Sequence, residues 1–420
     1  MMWRIGYTLL VWIALPFVFL RLWWRGRAEP GYRRGIAERF GRYAVRPRKP
    51  VIWIHAVSVG ETHAAEPLAR LLAARHPECE LLVTHMTATG RETAQRLFAG
   101  AATLAYLPYD YPFAVRRFIE HFRPRLGVLM ETEIWFNLIG ACSSAGVPVV
   151  LANARLSEKS ARGYGRIAPL VREALGQVAA VAAQSPADAE RLARLGARSI
   201  EVTGNLKFDV SAPPESAALA ADFRRRYGAR SVFLAASTRE GEETLLLGAL
   251  QAHPLRDTLV VLVPRHPQRC DEVAQLLERR GLAYVRRSGN APVPSGCSYV
   301  LGDSLGEMAA YYASCDIALI GGSLLDYGAQ NLIEACAAGV PVLIGPSTFN
   351  FAQAAAEALA CGAALAVADA SAAARAAQRL LQDETARGRM SRAGLAFCAA
   401  HRGAMLRVAA VCEQALAQAR

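Results

Sequence analysis

The sequence predicts an α/β protein with two doubly wound domains, each built on a parallel sheet that helices cover on both faces. From residue 51 onward, short apolar runs alternate with longer segments of helical periodicity. The short runs are apolar throughout, as expected of strands that are buried on both faces of a parallel sheet. A polar break with two prolines, VSAPPESA at residues 210–217, separates two series of these runs. This organisation indicates two domains that are joined near residue 210.

The apolar runs define the expected strands, and the segments between them define the helices. The strands of the first domain are expected at residues 51–56, 81–84, 103–106, 126–130, 147–151, 178–183 and 199–202. Those of the second domain are expected at residues 232–236, 259–264, 283–286, 299–301, 317–320, 341–344 and 363–367. Helices are expected, for example, over residues 64–75 and 89–98, and the alanine-rich residues 371–420 predict further helices.

Composition is that of a globular protein from a reducing compartment. The 420 residues are 53% hydrophobic, which is enough for the cores of two domains. Only 20% are charged, which argues against extensive disorder. The nine cysteines are scattered and form no CxxC pair. This pattern argues against a disulfide framework and a zinc knuckle, so most of the cysteines are expected to be small core residues.

The N-terminal segment combines an apolar stretch with a basic flank. Residues 5–20 are uncharged, and as a helix they would reach about 24 Å, less than a bilayer core of about 30 Å. Ten basic residues lie between Arg21 and Lys49, against two glutamates. A poor cleavage site favours a retained membrane anchor at residues 1–24 over a cleaved signal peptide. The basic flank predicts that the following domain lies on the cytoplasmic side, beside the anionic lipids of the cytoplasmic membrane.

The formal net charge of +12 could also indicate nucleic-acid binding. However, no interleaving of aromatic and basic residues and no zinc-finger spacing accompanies the charge. No nucleic-acid partner is therefore expected.

Residues at the strand-to-helix joints are the candidates for function, because ligands of open α/β sheets bind beyond the carboxyl ends of the strands. In the second domain a predicted strand leads into Gly321 and Gly322, and a helix is expected from about Asn331. Glycines allow a close backbone approach, and a helix start offers N–H groups, so this joint suits a phosphate. Glu334 could bind a ribose diol or stabilise its own helix dipole. Both interpretations stay open, because the joint is neither a Walker loop nor a GxGxxG motif.

Two further joints of the second domain have a related construction. The motif GDSLGEM places Leu305, Gly306 and Glu307 at an expected helix start. The strand LVVLVP ends in Pro264 and is followed by Arg265. A guanidinium at this point could clamp a phosphate, and a solvated basic loop is the alternative.

The first domain carries its own set of polar residues at strand ends. Glu61 follows the first strand, Glu131 follows the fourth, and Lys207 follows the last. Arg155 and Ser157 follow the fifth strand in the motif NARLSEKS. Helix capping or surface solvation could explain each residue alone. Their common placement on one rim of the sheet favours a functional site.

The sequence lacks the common signatures of metal and nucleophile chemistry. It contains no HExxH motif, no pair of aspartates at DxD spacing and no nucleophile elbow. No feature therefore calls for a metal or another cofactor.

Seven motifs, taken in order, are similar to those of one enzyme family. They are SVGET, ETEIW, NARLSEKS, GNLKFD, VPRHP, GDSLGEM and the series GGS, NLIEA, GVPVLIGP and FNF. In these motifs the chain resembles the 3-deoxy-D-manno-octulosonic acid (Kdo) transferases of lipopolysaccharide assembly, glycosyltransferase family 30, from the N-terminal anchor to about residue 355. The resemblance implies a GT-B architecture, in which two Rossmann-like domains face each other across a cleft.

The resemblance also implies substrates, domain roles and a location. The donor would be CMP-Kdo and the acceptor the phosphorylated disaccharide lipid IVA, with inversion at the anomeric carbon and neither a metal nor another cofactor. Residues 1–24 would be the membrane anchor, residues 25–209 the acceptor domain and residues 210–420 the CMP-sugar-binding domain. The catalytic domains are expected on the cytoplasmic side of a bacterial inner membrane.

Residue roles carry over from the family by position. Glu61 matches its general base, and Glu131 and Lys207 match residues that stabilise the transition state. The residues that match its CMP contacts are Pro264, Arg265, Leu305, Gly306, Glu307, Asn331, Leu332, Ile333 and Glu334. We further expect Arg155, Ser157 and the basic N-terminal flank to bind acceptor phosphates.

Glu61 has two competing interpretations, a general base and a helix cap. A placed carboxylate base contributes about 10²–10⁴-fold in rate, or about 3–5 kcal/mol of barrier. As an acid in the first turn of a helix, Glu61 would stabilise that helix by only about 0.3–1 kcal/mol. The helix dipole is expected to lower its basicity. With the surrounding motifs, we interpret Glu61 as the base.

The chain departs from the family pattern at two places. It has Gly328, Ala329, Gln330 and Asn331 where the family usually has Gly-Gly-His-Asn or a close variant, and the methyl group of Ala329 is expected to narrow the approach to the nucleotide. It has Arg239 where the family often has histidine. Two alternatives stay open: another GT-B enzyme that uses a UDP- or GDP-sugar on a membrane acceptor, and an inactive membrane-anchored nucleotide-binding protein.

Overall fold

Two seven-stranded parallel sheets organise the chain. The computed structural model describes residues 2–28, 31 and 34–418. The strands are β1 Val51–His55, β2 Glu80–His85, β3 Thr103–Tyr106, β4 Pro124–Met130, β5 Val149–Ala154, β6 Ala180–Ala183, β7 Ile200–Val202, β8 Ser231–Thr238, β9 Thr258–Pro264, β10 Tyr284–Arg286, β11 Tyr299–Leu301, β12 Ile317–Ile320, β13 Val342–Ile344 and β14 Ala364–Ala366. Each corresponds to one of the predicted apolar runs, with ends that differ by no more than three residues.

Helices connect these strands and flank both ends of the chain. Among the described residues they are α1 Met2–Ile13, α2 Leu15–Ala28, α3 Val59–Arg75, α4 Ala88–Phe98, α5 Pro112–Phe122, α6 Phe136–Ser144, α7 Glu158–Gly165, α8 Ala168–Leu175, α9 Pro186–Arg194, α10 Ser216–Tyr227, α11 Glu242–Ala252, α12 Cys270–Arg279, α13 Met308–Ala313, α14 Ile333–Ala337, α15 Ala352–Ala360, α16 Ala370–Gln382, α17 Glu384–His401 and α18 Ala404–Gln418. The alanine-rich end therefore forms helices α16 to α18, as predicted.

The first sheet has the strand order β3-β2-β1-β4-β5-β6-β7. The order reverses between β1 and β4, which pair in parallel, and ligands of such sheets bind at this switch point. Side chains of β1 alternate between two cores: Trp53 packs edge-on against Phe118 of α5, whereas Ile54 lies in the core that contains Leu68 of α3. Both faces of the sheet are therefore covered, as the uniformly apolar strands predict.

The second sheet has the order β10-β11-β9-β8-β12-β13-β14. All its neighbouring strands are parallel, and the order reverses between β8 and β12. The loops after β8 and β12 therefore lie at the switch point of this sheet.

The last helix belongs to the first compact unit rather than to the second. The two units comprise Met1–Val210 with Gly403–Arg420, and Ser211–Arg402. The carboxylate of Asp209 accepts hydrogen bonds from the backbone N–H groups of Gly403 and Met405, at 2.7 and 2.6 Å, and so caps α18. Apolar side chains of α18 lie in the same core as α3. This differs from our assignment of residues 210–420 to the second domain, because an amphipathic alanine-rich helix does not reveal which sheet it covers.

The N-terminal segment forms a bent helical pair that is also part of the first unit. α1 and α2 meet at a bend of 46° near Ala14, and together they are long and apolar enough to cross a membrane. On its inner face, Tyr7 donates to the buried carboxylate of Asp110 at 2.9 Å, and Thr8 donates to Asn137 at 3.0 Å. Large apolar side chains project outward, namely Trp3, Ile5, Leu9, Leu10, Ile13, Phe17, Leu20 and Trp24. The pair therefore combines a packed inner face with an exposed apolar outer face.

A second stretch, Glu384–Gln418, meets the same criteria of length and hydropathy. Its second half, α18, lies in the core of the first unit. Its apolar character is thus explained by packing within the protein.

The cysteines behave as the composition predicts. Seven are buried: Cys142, Cys270, Cys297, Cys315, Cys336, Cys398 and Cys412. Cys361 is exposed and Cys79 is intermediate, and all nine are free thiols. The prediction that most are core residues is confirmed.

Candidate active site

Glu61 closes a capping box at the start of α3. Ser58 is the N-cap residue, and its hydroxyl accepts from the N–H of Glu61 at 3.4 Å and donates to Oε1 of Glu61 at 2.8 Å. Oε2 of Glu61 accepts from the N–H of Val57 at 2.9 Å. The sequence SVGE is thus an S-x-x-E capping motif. Glu61 does cap its helix, and this position also fixes its carboxylate beyond the end of β1.

The environment of Glu61 makes its carboxylate more basic, not less. Burial, followed by the negative charge of Glu131, raises the pKa of Glu61 to about 7, although hydrogen bonds from Val57 and Ser58 oppose the shift. Glu133 adds a smaller contribution in the same direction. Desolvation and the neighbouring carboxylates therefore outweigh the lowering effect that is expected of the helix dipole. A carboxylate with a pKa near neutrality suits a general base.

Glu131 and Lys207 form an ion pair at the same rim. Glu131 follows β4, the neighbour of β1, and Nζ of Lys207 lies 3.6 Å from its Oε1. Glu131 has a φ of 57°, and its N–H donates to the carbonyl of Ala152 at 2.8 Å. A left-handed conformation at a residue other than glycine costs about 1–3 kcal/mol and is concentrated at functional sites. The structure thus brings together the three residues that the resemblance marks as catalytic.

Asn153 holds the turn that presents Lys207. It is fully buried and left-handed, with a φ of 55°. Its Oδ1 accepts from the N–H of Leu206 at 3.0 Å, and the N–H of Lys207 donates to Asn205 at 3.0 Å. The carbonyl of Asn153 accepts from Gln184 at 2.9 Å. Asn153 therefore connects the end of β5 to the short turn Leu206–Phe208.

Arg155 and Ser157 lie where the sequence predicts, after β5. The carbonyl of Arg155 accepts a hydrogen bond from the hydroxyl of Thr132. Ser157 is the N-cap of α7: its hydroxyl accepts from the N–H of Ser160 at 3.1 Å and contacts the hydroxyl of Ser160 at 2.9 Å. Capping accounts for Ser157 structurally, and a role in binding acceptor phosphates stays a prediction for both residues.

In the second unit, the glycine-rich loop after β12 is closed by its own backbone. The N–H of Ala329 donates to Gly322 at 2.7 Å, and the N–H of Gln330 donates to Gly321 at 2.9 Å. Ala329 is left-handed, with a φ of 62°, and only 1% exposed. Its methyl group therefore lies inside the protein. The expectation that this methyl narrows the approach to a nucleotide is wrong.

The helix after this loop begins later than predicted. α14 starts at Ile333 rather than near Asn331, and it has five residues. The side chains of Leu332 and Ile333 lie in the core, at 0% and 1% exposure, so a nucleotide could reach these two residues through the backbone alone. Asn331 accepts from the N–H of Ile333 at 3.1 Å and donates to Glu334 at 2.8 Å. Asn331 and Glu334 thus form a polar pair at the end of the loop.

The other predicted helix start also lies a little further along the chain. α13 begins at Met308, and Glu307 occupies its N-cap position. Gly306 has a φ of 82°, and Leu305 is 68% exposed. Glu307 accepts from Arg287 at 3.1 Å and from the hydroxyl of Ser304. Leu305 and Gly306 are therefore accessible, whereas the carboxylate of Glu307 is already engaged.

Arg265 links the end of β9 to the glycine-rich loop. Pro264 ends β9 and is buried, and the N–H of Arg265 donates to the carbonyl of Thr238 at 2.9 Å. Nε of Arg265 donates to Oε1 of Gln330 at 3.0 Å. Partial desolvation and the charge of Arg239 lower the pKa of Arg265, and Glu334 opposes this effect. The structure therefore brings together the donor-site candidates at positions 265 and 334, and Gln330 accepts a hydrogen bond from Arg265.

Several residues that shape these sites escaped the sequence analysis. The partner of Glu61, Ser58, could have been recognised from the S-x-x-E spacing. Glu133 contributes charge, and burial raises its own pKa. Glu242 is buried and accepts from the N–H groups of Gly322 and Leu324, at 2.6 and 3.0 Å. No local signal shows that a carboxylate after β8 secures the loop after β12.

Family models match both halves of the chain. The model described as 3-deoxy-D-manno-octulosonic-acid transferase (kdotransferase) matches residues 34–210, and that of glycosyl transferases group 1 matches residues 286–396. The 3-deoxy-D-manno-octulosonic acid transferase of Bordetella pertussis is 45% identical over 416 residues, 96% of this chain and 96% of that protein. That of Haemophilus influenzae is 37% identical over 97% of each chain.

Solved structures share the fold at low sequence identity. A UDP-GlcNAc 2-epimerase from Neisseria meningitidis, bound to UDP-GlcNAc, has a TM-score of 0.58 and 16% identity, and the match covers 88% of this chain and 100% of that one. A glycosyltransferase from Rickettsia africae has a TM-score of 0.57 and 14% identity, over 86% and 96%. The predicted GT-B fold, with two parallel α/β sheets, is confirmed. With 45% identity over nearly its whole length and a matching family model, the chain belongs to the 3-deoxy-D-manno-octulosonic acid transferases, the Kdo glycosyltransferases of lipopolysaccharide biosynthesis.

Proposed function

We propose that the protein transfers Kdo from CMP-Kdo to lipid IVA, with inversion at the anomeric carbon and without a metal. The observation that carries the proposal is the state of Glu61, whose pKa is raised to about 7 beside Glu131 at the switch point of the first sheet. An acceptor hydroxyl is a far weaker acid than protonated Glu61. Glu61 therefore cannot deprotonate the hydroxyl before the new bond begins to form. Attack therefore needs the proton to leave as the new bond forms.

In the proposed step, Glu61 removes the proton from the acceptor hydroxyl. The hydroxyl oxygen forms a bond to the anomeric carbon of Kdo, while the bond from that carbon to the phosphate oxygen breaks. CMP leaves with the bonding electron pair, and the proton stays on Glu61 until water removes it. The capping bonds from Ser58 and Val57 hold the carboxylate in place, and each of its oxygens keeps a further lone pair for the hydroxyl.

Fixed cations would stabilise the charge that develops on the leaving phosphate. Arg265 is held by its bond to Gln330 and is the candidate in the second unit. Lys207, paired with Glu131, offsets the negative charge around the base in the first unit. Positioned charges of this kind stabilise a transition state because they need no reorganisation during the reaction.

The N-terminal helical pair would place the first unit at a membrane surface. Its exposed apolar face and the basic residues that follow suit an anionic bilayer. Lipid IVA carries its phosphates at such a surface, so a tethered first unit would meet them at the level of the head groups. The basic flank supports the cytoplasmic side of the bacterial inner membrane.

A single assay tests this function. The full chain is incubated with lipid IVA and CMP-Kdo, and the lipid product is weighed by mass spectrometry. A mass increase by Kdo units, absent with UDP- and GDP-sugars, supports the proposal. Transfer from a UDP- or GDP-sugar instead would overturn the donor assignment, and CMP binding without any product would indicate an inactive binding protein.

A further inference from the structure

Two arginines follow the neighbouring strands β8 and β9, beside the switch point of the second sheet. Thr238 of β8 pairs with Pro264 of β9, so Arg239 and Arg265 are the next residues on two adjacent parallel strands. The N–H of Arg265 donates to the carbonyl of Thr238 at 2.9 Å, which ties the two chain exits together. Parallel strands lie about 4.8 Å apart, so the two arginines follow the carboxyl ends of adjacent strands at a similarly short distance.

Both side chains extend over the same glycine-rich loop after β12. The guanidinium of Arg239 lies over the ring of Tyr327, 4.5 Å from its centroid. Nε of Arg265 donates to Gln330 at 3.0 Å. The two guanidinium groups are thus oriented by one loop, in which Gly322 and Gly328 adopt left-handed conformations.

Two of the three carboxylates that follow Arg239 in sequence, those of Glu242 and Glu243, are engaged with other groups. Glu242 accepts from the backbone N–H groups of Arg239 and Gly322, at 2.8 and 2.6 Å. Glu243 forms a two-pronged pair with Arg269, at 2.8 and 2.9 Å. The carboxylates of Glu242 and Glu243 therefore organise the loops, whereas the guanidinium of Arg239 stacks on Tyr327.

The electrostatic environment shows an excess of positive charge. The charge of Arg239 contributes to the lowered pKa of Arg265. Burial and the charges of three neighbouring arginines lower the pKa of His266. Glu334 is a carboxylate that opposes this charge. Neighbouring guanidinium groups repel each other, and an anion bound between them would offset this repulsion.

We infer that Arg239 and Arg265 form a two-cation site that binds the two anionic groups of the donor, Arg265 its phosphate and Arg239 the carboxylate of the transferred sugar acid. The inference rests on the proposed function. In a CMP-linked 2-keto sugar acid, the carboxylate and the phosphate oxygen are attached to the same carbon. Their mutual repulsion calls for two cations at short separation, and a planar guanidinium pairs with a carboxylate through two hydrogen bonds.

The test separates the two anions by comparing CMP with CMP-Kdo. In Arg239→Gln, we expect the KM for CMP-Kdo to rise about 10- to 100-fold, while the Kd for CMP changes less than about twofold. In Arg265→Gln, both the KM and the Kd should rise. Arg239→Lys should have a KM between those of the unmodified protein and Arg239→Gln. Lysine keeps the positive charge but lacks the planar guanidinium that forms two parallel hydrogen bonds. Arg279→Gln, an exposed arginine on α12, is the matched control.

The outcomes are distinguishable from a failure of the proposed function. If the unmodified protein transfers nothing from CMP-Kdo, the proposed function itself is wrong. If it transfers normally and Arg239→Gln has an unchanged KM, this inference alone is overturned. Equal weakening of CMP and CMP-Kdo by Arg239→Gln, with unchanged thermal unfolding, would place Arg239 on the phosphate and overturn the assignment to the carboxylate.

Discussion

The two units place opposite charges on the same scaffold. In the first, the switch point of the sheet carries the carboxylates Glu61 and Glu131, and their mutual repulsion contributes to a raised pKa. In the second, the carboxyl ends of the strands carry Arg239 and Arg265, and burial together with these charges lowers the pKa of His266 beside them. A parallel sheet fixes where loops emerge and leaves their chemistry open. The contrast matches the proposed function, in which proton removal is assigned to the first unit and anion binding to the second.

Left-handed residues other than glycine lie at or beside both switch points. In the first unit these include Glu131 and Asn153, with φ of 57° and 55°. In the second they include Ser237 and Ala329, with φ of 57° and 62°. Such conformations persist where the surrounding structure imposes them. They mark the ends of strands at which the chain turns sharply to present a side chain or a loop.

The largest expected effect comes from Glu61→Gln. The amide keeps the shape of the side chain and can accept one of the two capping bonds through its oxygen, but it cannot take a proton. We expect transfer to fall by about 10²–10⁴-fold, measured as initial rates with CMP-Kdo and lipid IVA. Glu190→Gln, an exposed glutamate on α9, is the control. An active Glu61→Gln protein with a lowered melting temperature would show that Glu61 is a cap alone.

The same variant makes a prediction about stability and pH. The pKa of Glu61 is raised in the folded state, from an ordinary value of 4.5 to about 7. The folded state therefore binds the proton more tightly, and this group's contribution to stability is lost as the pH rises from about 4.5 to 7. The quantity to measure is the free energy of unfolding of Glu61→Gln minus that of the unmodified protein, by urea unfolding. This difference should be about 1–3 kcal/mol larger at pH 8 than at pH 5. An equal difference at both pH values would contradict the raised pKa.

The N-terminal helical pair offers a test of which face meets the bilayer. Deleting residues 2–24 removes the bond from Tyr7 to Asp110, so it should lower the free energy of unfolding by about 1–3 kcal/mol and release the protein from anionic vesicles. Replacing the exposed residues Leu10, Phe17 and Trp24 by serine should release it equally while leaving the melting temperature unchanged. Retained binding of the triple variant would show that its apolar face is not the membrane contact.

A further effect is expected from Glu131→Gln. The negative charge of Glu131 raises the pKa of Glu61, so its removal should move the acidic limb of the kcat/KM profile to lower pH. Below pH 7 the variant should therefore lose less of its own maximal rate than the unmodified protein does. The profile is measured between pH 5 and 9. A limb that stays near pH 7 would mean that Glu61 is not the group that titrates.

Much of the fold, and less of the sites, could be predicted from the sequence. The strands were found because buried parallel strands form uninterrupted apolar runs, a local property. The raised pKa of Glu61 could not be predicted, because the helix dipole is a local effect, whereas desolvation and Glu131 come from distant parts of the chain. The start of α14 at Ile333 was missed because the loop before it is closed by backbone hydrogen bonds, which no residue pattern announces.

The smallest expected effects compare one left-handed residue from each unit. Ser237→Gly removes the strain of a side chain at a φ of 57°. This gain exceeds the destabilisation that arises because glycine has more conformational entropy to lose on folding. Unfolding should therefore require about 0.5–1 kcal/mol more, with transfer unchanged. Asn153→Gly removes the same kind of backbone strain. It also removes the hydrogen bond from the N–H of Leu206, next to Lys207, to the side chain of Asn153. Transfer should then fall about tenfold, because the lysine is no longer fixed. If both variants were stabilised and fully active, the left-handed residue of the first unit would position nothing, and the two switch points would differ in charge alone.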